Sequence, residues 1–312
     1  MDNFENKSLS NDTVFGNCIH SFVIHYVPAI IVGIGLIVNI LAITSICLTG
    51  KVKIPTYTAI LCLAVSDSLA LVTRLARVEA CAVCSLLYGE ELCSGNKSRV
   101  TAVQTISSIP SFMTLHGSFC HVILLAAVRY VIIVHPLKAR GCLTSGKVIG
   151  FSGVAWTFTL IVSSVYGIAC MKYLEGLYEG KANWFMDNFE VIDIIMCFYL
   201  FLVTLIPLLL FHIAKRKVIP ATLTYHVVRM NRMVIVVALI TVISLFPLML
   251  RNIISMLGLD KFTQKQKVIF FSAIQFIYFL RHVVNPVLYF WINEVLNKKR
   301  NYTKCCQHPA RD

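Results

Sequence analysis

Apolar residues along the chain are gathered into seven long stretches, separated by segments that are short and polar or that carry Gly and Pro. A helix needs roughly 20 mostly apolar residues to cross the hydrocarbon core of a bilayer, and each stretch reaches that length. Backbone groups in lipid must be bonded within the protein, and the stretches lack the alternation of barrel strands, so we predict helices. The predicted spans are Ser21–Leu48, Tyr57–Leu87, Val100–Val134, Val148–Met171, Val191–Ala214, Tyr225–Leu257 and Lys267–Trp291.

This pattern predicts an all-α fold, in which a seven-transmembrane-helix bundle occupies residues 21–291 after an extracellular N-terminal segment at residues 1–20. Residues 292–312 are predicted to form an amphipathic helix on the membrane surface and a cytoplasmic tail, because Phe290–Leu296 precedes the basic run Lys298–Arg300. Met1–Ser10 is polar and acidic, so we expect the first helix, rather than a cleaved signal peptide, to direct insertion.

The composition agrees with a membrane location. The chain has 312 residues, of which 57% are hydrophobic and 14% charged, and its mean hydropathy is +0.76. Soluble domains carry about 25% charged residues. So much apolar surface cannot be hidden in one water-soluble core, which excludes a single soluble domain.

Charged residues set the predicted orientation. With the N-terminus outside, the inner segments receive most of the basic residues and only two acidic ones, Glu294 and Asp312. Enrichment of Lys and Arg inside is the rule for multi-pass proteins, so we expect an extracellular N-terminus and a cytoplasmic C-terminus in the plasma membrane. The net charge of +13 then points to anionic membrane lipid as a partner and not to nucleic acid.

Two kinds of modification fit this orientation. Glycosylation sequons begin at Asn6, Asn11 and Asn96, all on the predicted outer side. Cys305 and Cys306 follow the amphipathic segment at the inner face, where they suit palmitoylation; free tail thiols are the alternative.

The sequence gives no sign of an enzyme. Its histidines are scattered without a repeated metal-ligand spacing, and it has neither a phosphate-binding loop nor a nucleophile elbow. We therefore expect no catalytic residue, no cofactor and no metal. Another class to consider is a seven-helix transporter or channel, in which Asp67, Arg74, Arg77 and Arg281 would line an ion path. Transporters often contain inverted repeats, which are not visible here, and a membrane scaffold without signalling is a third reading.

Short motifs occur in the same order as the predicted helices. They are Gly35–Asn39, Leu63–Asp67, Ser118, Val128–Tyr130 with His135–Leu137, Trp156, Pro207, Phe246–Pro247 and Asn285–Tyr289. Together they resemble the signatures of rhodopsin-like (class A) G-protein-coupled receptors over nearly the whole chain. The run His135–Ala139 with Cys142 and Thr144 is further similar to the peptide-hormone branch, near the thyrotropin-releasing-hormone and FMRFamide-type receptors.

The resemblance implies a receptor that binds an extracellular ligand and activates a heterotrimeric G protein. Residues implied in G-protein coupling are Arg129, Tyr130, Pro136, Tyr289, Arg229 and Arg232. Residues of the implied activation hub are Asn39, Asp67, Ser118, Arg281, Asn285, Pro286 and Pro247. The alternative for the hub is a static hydrogen-bond network that holds the helices together. The alternative for Arg129 is an arginine whose side chain extends to the membrane interface.

The ligand class follows partly by exclusion. Amine receptors of the family place an aspartate where this chain has Ser111, and light-sensing relatives place a lysine where it has Phe279. A short peptide or a small anionic molecule remains. The candidate ligand-binding residues are Arg74, Arg77, Gln104, Ser111, Arg251 and Gln275. Arg74 and Arg77 are three residues apart and share a helix face, although Glu79 is an alternative partner for one of them.

The chain also departs from the family. Val128 replaces the acidic residue before Arg129, Leu245 replaces a tryptophan, and Gln104 replaces the cysteine of the family disulfide. In the family, the aspartate corresponding to Asp67 binds sodium with help from a serine. Arg281 replaces a small polar residue of that site, so we predict an ion pair between Asp67 and Arg281 that excludes sodium.

Overall fold

The computed structural model describes residues 27–95, 97–179, 184–217, 225–256, 266, 270, 273–274, 276–277 and 279–288. The regular elements within these ranges are helices. They are α1 Val27–Leu48, a 3-10 turn Lys51–Lys53, α2 Pro55–Gly95, α3 Lys97–Val134, α4 Pro136–Cys142, α5 Ser145–Glu179, α6 Trp184–Lys217 and α7 Tyr225–Met256. Residues 279–288 are also helical and are called α8.

Five helices are long and apolar enough to cross a membrane. These stretches are Ala29–Leu48, Pro55–Leu75, Ile109–Val134, Ser145–Tyr173 and Val191–Ala214, in α1, α2, α3, α5 and α6. A shorter apolar stretch, Met233–Pro247, lies in α7. Large apolar side chains such as Ile37, Val154 and Ile161 point outward, as expected of helices in contact with lipid. The prediction of an all-helical, multi-pass membrane protein is confirmed for the described residues. The predicted seventh span is described only in part, and the predicted surface helix lies outside the described residues.

α3 lies at the centre of the bundle, where it contacts α2, α5, α6 and α7. One apolar cluster joins Ile60, Leu125 and Val237 of α2, α3 and α7. A second joins Val32, Leu71 and Phe279 of α1, α2 and α8. A third joins Phe119, Leu200 and Leu245 of α3, α6 and α7.

Helix ends at one side of the bundle are fixed by local chemistry. Gly50 adopts φ +65°, a left-handed conformation that favours glycine, and so turns the chain after α1. Thr58 then donates its hydroxyl to the Val52 carbonyl at 2.6 Å, which holds the turn Lys51–Lys53 against α2. Pro136 begins α4, where the missing N–H of proline costs nothing. We call this side, which holds Lys51, Arg129 and α4, the basic end.

Candidate functional site

Asp67 on α2 is fully buried and is the centre of a polar network. Its Oδ1 accepts hydrogen bonds from Ser118 Oγ at 2.5 Å and from His282 Nδ1 at 2.6 Å. Its Oδ2 accepts one from Asn285 Nδ2 at 3.0 Å. Three donors from α3 and α8 therefore compensate a carboxylate that has lost its water.

His282 connects this carboxylate to the buried guanidinium of Arg281. Arg281 Nε donates to His282 Nε2 at 3.2 Å, so this nitrogen must carry a lone pair. The ring proton then lies on Nδ1, which faces Asp67. The predicted direct ion pair between Asp67 and Arg281 is wrong, because the neutral imidazole of His282 lies between them.

Arg281 has a second interaction that stabilises its charge. Its side chain is 1% exposed, and its Cζ lies 3.9 Å from the centroid of the Phe119 ring. A cation over an aromatic face gains more when it is desolvated, as it is here. The charge is thus held by an aromatic face on one side and by the His282–Asp67 chain on the other.

Asn39 joins α1 to the same network for a reason that the sequence contains. Pro286 has no backbone N–H, so the carbonyl four residues earlier, that of His282, receives no bond from it within α8. Asn39 Nδ2 donates to this carbonyl at 3.0 Å and to the Gly35 carbonyl at 2.8 Å. The network, which we call the hub, therefore ties α1, α2, α3 and α8 together.

The structure brings together six of the seven residues predicted for the hub: Asn39, Asp67, Ser118, Arg281, Asn285 and Pro286. Pro247, the seventh, lies within α7. Close to it, Leu245 packs with Phe119, whose ring lies against Arg281. α7 thus reaches the hub through apolar contacts.

Arg129 lies near the end of α3 at the basic end. Its side chain is only 9% exposed, and its Nε has no hydrogen-bond partner among the described residues. On α2, the ring of Tyr57 packs against the apolar cluster that contains Val128, and Lys51 Nζ lies 5.2 Å from the centroid of this ring. Neighbouring Val128 is buried in the apolar cluster and offers no carboxylate.

The other coupling candidates are spread around this end. Tyr130 packs its ring 6.3 Å from that of His135, and Pro136 is exposed at the start of α4. Arg229 and Arg232 lie on α7, but their side chains, like residue Tyr289, fall outside the described part of the chain.

The ligand candidates are only partly described. Arg74 is half-buried, with its Cζ 5.4 Å from the Phe279 ring centroid. Ser111 on α3 is also half-buried. The side chains of Arg77, Gln104 and Arg251 and the residue Gln275 fall outside the described part. So do Asn6, Asn11, Asn96, Cys305 and Cys306, the predicted modification sites.

Two further buried histidines join α3 to α5 and were not singled out from the sequence. His121 bonds the Gly117 carbonyl through Nδ1 at 2.6 Å and Ser152 Oγ through Nε2 at 2.7 Å. His116 Nδ1 lies 3.1 Å from Ser163 Oγ. The sequence signal is limited to a polar residue inside an apolar span, which indicates an inward-facing side chain but does not identify the serine that it contacts. Within the described residues, no group of three or more metal-ligating side chains could hold a metal ion.

Apolar helices around a buried polar hub define a multi-pass membrane protein. The family model for the 7 transmembrane receptor (rhodopsin family) matches residues 38–289, and the chain belongs to this family. Its members are receptors, which act with an extracellular ligand and a G protein, and are not enzymes. No curated protein matches the chain significantly.

Proposed function

We propose that the chain is a G-protein-coupled receptor that binds a short peptide or a small anionic molecule outside the cell and activates a heterotrimeric G protein. The hub is the observation that carries this proposal. It holds four helices through directional bonds around one carboxylate, beside a proline that prevents regular bonding in α8. Such bonds have discrete alternative partners, so the helices can adopt two packings, as a switch requires.

A chain of contacts leads from the outer candidates to the hub. Arg74 lies over the ring of Phe279. Phe279 packs its ring 6.4 Å from that of His282, which bonds Asp67. A ligand that displaced Arg74 would therefore disturb Phe279 and, through it, the residue that connects Arg281 to Asp67. These successive contacts support a route by which ligand binding at Arg74 reaches the hub. Double-mutant cycles between residues along this route would test whether they are energetically coupled.

The anionic ligand is proposed from charge. Arginines at membrane depth are costly unless they face water or partners, so Arg74, Arg77 and Arg251 suit a ligand with a carboxylate. Gln104, Ser111 and Gln275 are proposed to add polar contacts to it. The similarity of His135–Ala139 to peptide-hormone receptors supports a short peptide as the carrier of that carboxylate.

The basic end is proposed to face the cytoplasm and the G protein, with the N-terminus outside. Arg129, Tyr130, Pro136, Tyr289, Arg229 and Arg232 are proposed to make the contact. Glycosylation at Asn6, Asn11 and Asn96 and palmitoylation at Cys305 and Cys306 belong to the same proposal. A transporter or channel is not favoured by the family.

The test is to express the chain with a panel of chimeric G proteins and to screen peptide and carboxylate libraries. The expected result is an agonist response that Arg77→Gln weakens at least about tenfold, which corresponds to losing roughly 1.4 kcal/mol of binding. Arg216→Gln, an exposed change at the basic end, is the matched control for charge. A response unchanged by Arg77→Gln and Arg251→Gln at equal surface expression would exclude the anionic ligand. A chain that couples to no member of the panel would exclude the receptor.

A further inference from the structure

The carboxylate of Asp193 belongs neither to the hub nor to the candidate ligand residues identified from the sequence. Its Oδ1 accepts a hydrogen bond from the Tyr166 hydroxyl of α5 at 2.7 Å, and its side chain is half-buried. Asp193 lies at the start of the apolar span Val191–Ala214 of α6, whose other end lies at the basic end. A carboxylate can accept several donors at once, so the bond from Tyr166 does not prevent it from binding a further group.

Aromatic rings lie close to this carboxylate. The Tyr166 ring packs edge-to-face on Phe112 of α3, with the ring centroids 4.4 Å apart. One helical turn before Asp193, Phe189 stacks on Tyr173 of α5, with the ring centroids 4.1 Å apart. A cation is stabilised by aromatic faces as well as by a carboxylate. The surroundings of Asp193 therefore suit an ammonium group.

A series of contacts places Asp193 at a depth similar to that of Arg74, a candidate for binding the carboxylate of the ligand. Thr73, the neighbour of Arg74 on α2, shares a hydrogen bond of 2.9 Å with Thr114 of α3. Thr114 follows Phe112 by two residues, which is about 3 Å along the helix axis and about 200° around it. Phe112 belongs to the aromatic group beside Asp193. The positive and the negative residue therefore lie on opposite sides of α3.

The spacing of the helices sets the size of a ligand that could contact both charges. α3 packs against both α2 and α6. The axes of packed helices lie roughly 8–10 Å apart, so the axes of α2 and α6 are at most about 20 Å apart. An extended chain covers about 3.4 Å per residue, so a peptide of about four to six residues can cover this distance. A single amino acid or another small carboxylate cannot.

We propose that the ligand is a short peptide with both ends free, whose terminal ammonium group binds Asp193 and whose terminal carboxylate binds Arg74. This inference rests on the proposed function and makes its ligand more specific. The Tyr166 hydroxyl orients the Asp193 carboxylate, and the neighbouring aromatic rings stabilise the ammonium group. If the bond between Tyr166 and Asp193 only joined α5 to α6, ligand binding would not depend on the charge of the peptide amine.

The test uses a synthetic pentapeptide library and the purified full chain, and it needs no G protein. The library is prepared free at both ends, acetylated at the amine, amidated at the carboxyl group, and blocked at both ends. Binding is measured by the rise in melting temperature, and single peptides from the active pools are then titrated. We expect the free peptides to bind and each single block to weaken binding at least about tenfold.

A charge-removing variant and a control assign the effect of the amine to Asp193. Asp193→Asn keeps an oxygen that can accept from Tyr166, so it should fold, bind the free peptide at least about tenfold more weakly, and no longer distinguish it from the acetylated form. Asp187→Asn removes one acidic charge from the same helix and should keep the preference for the free amine. The comparison of peptide forms on the original chain does not depend on any variant.

Three results would overturn the proposal. They are equal binding of free and acetylated peptides, a preference for the free amine that Asp193→Asn leaves unchanged, and no binding by any peptide pool. A receptor that responds only to carboxylates other than peptides would thus contradict this inference and leave the proposed function intact. A peptide that binds as expected but activates no G protein would contradict the proposed function and leave this inference intact.

Discussion

At the scale of single residues, His282 determines how the charges of its neighbours are stabilised. Both Asp67 and Arg281 were identified from the sequence as charges that must be compensated, but the sequence does not show which way each side chain points. The imidazole accepts from Arg281 and donates to Asp67, so one neutral ring carries the coupling between two buried charges. Removing any one member leaves a buried charge without its compensation.

The first prediction concerns this chain of bonds. Asp67→Asn or Arg281→Gln alone should destabilise the receptor by roughly 3–5 kcal/mol, because each leaves one buried charge without the compensation that it receives through His282. The double change removes both charges and should recover part of that loss. Surface expression and thermal unfolding of the purified protein measure the effect, with Arg216→Gln as the exposed control. Strictly additive losses would mean that the two charges are not coupled.

The second prediction is that sodium has no specific effect. The carboxylate of Asp67 already accepts bonds from Ser118, His282 and Asn285, and Arg281 supplies a fixed positive charge one side chain away. A diffusible cation would be repelled by that charge and would have to compete with three hydrogen bonds for the carboxylate oxygens. Melting temperatures in sodium, potassium and choline chloride at equal concentration should therefore agree. Stabilisation by sodium alone would contradict the prediction.

At the scale of helices, a proline in one helix explains an asparagine in another. Pro286 cannot donate a backbone hydrogen bond to the carbonyl of His282, and Asn39 donates one to that carbonyl from α1. The motif that contains Pro286 and the one that contains Asn39 are thus two halves of one arrangement. Sequence comparison identifies both motifs, and the backbone geometry supplies the link between them.

The third prediction tests this arrangement by a double-mutant cycle. Asn39→Ala should cost about 1–3 kcal/mol, because it leaves a buried carbonyl unsatisfied. In a Pro286→Ala background, the restored N–H at position 286 can donate a hydrogen bond to the same carbonyl. Asn39→Ala should therefore lower the free energy of unfolding by clearly less in that background. Thermal unfolding of the four proteins gives the coupling. Equal costs in both backgrounds would show that Asn39 acts elsewhere.

The fourth prediction concerns the contact between α3 and α5. A Cβ added at Gly117 would lie 2.8 Å from the Trp156 ring, whereas one added at Gly150 would meet nothing within 4 Å. Gly117→Ala should therefore push the helices apart and destabilise the bundle by about 1–3 kcal/mol. Gly150→Ala, the matched control, should be neutral or stabilising by up to about 1 kcal/mol because alanine favours the helix. Similar melting temperatures for the two variants would contradict a close approach at Gly117.

At the scale of the whole molecule, the length of the apolar stretches predicted the membrane-spanning helices, and the motifs predicted most of the hub. Five spans of the expected length are present. They were predictable because only a helix that crosses the bilayer requires so long an apolar run. The motifs predicted that Asn39, Asp67 and Asn285 face inward, since polar groups at that depth avoid lipid. The partners of Arg281, His116 and His121 were not predictable. The direction of a side chain depends on how far its helix is rotated about its own axis. Apolar periodicity determines this rotation only coarsely when a helix has few polar residues.

The fifth prediction relates the hub to the basic end. The hub stabilises the helix packing near the centre of the bundle. At the basic end Arg129 is buried, and the neighbouring position 128 holds a valine, packed in the apolar cluster of α2, α3 and α7, instead of a carboxylate. An inactive state without that charge-assisted bond loses a restraint worth about 1.5–3 kcal/mol. A bias of that size changes the ratio of the two states by at least about tenfold, so the receptor should signal appreciably without ligand. Basal G-protein activation in transfected cells measures this, compared at equal surface expression with Val128→Asp, which should lower it, and with Lys147→Gln, which should not. The prediction would be contradicted by a basal level equal to that of empty vector together with an agonist response that Val128→Asp leaves unchanged. Other contacts would then stabilise the inactive state, and the apolar packing of Leu245 on Phe119 would be the first of them to test.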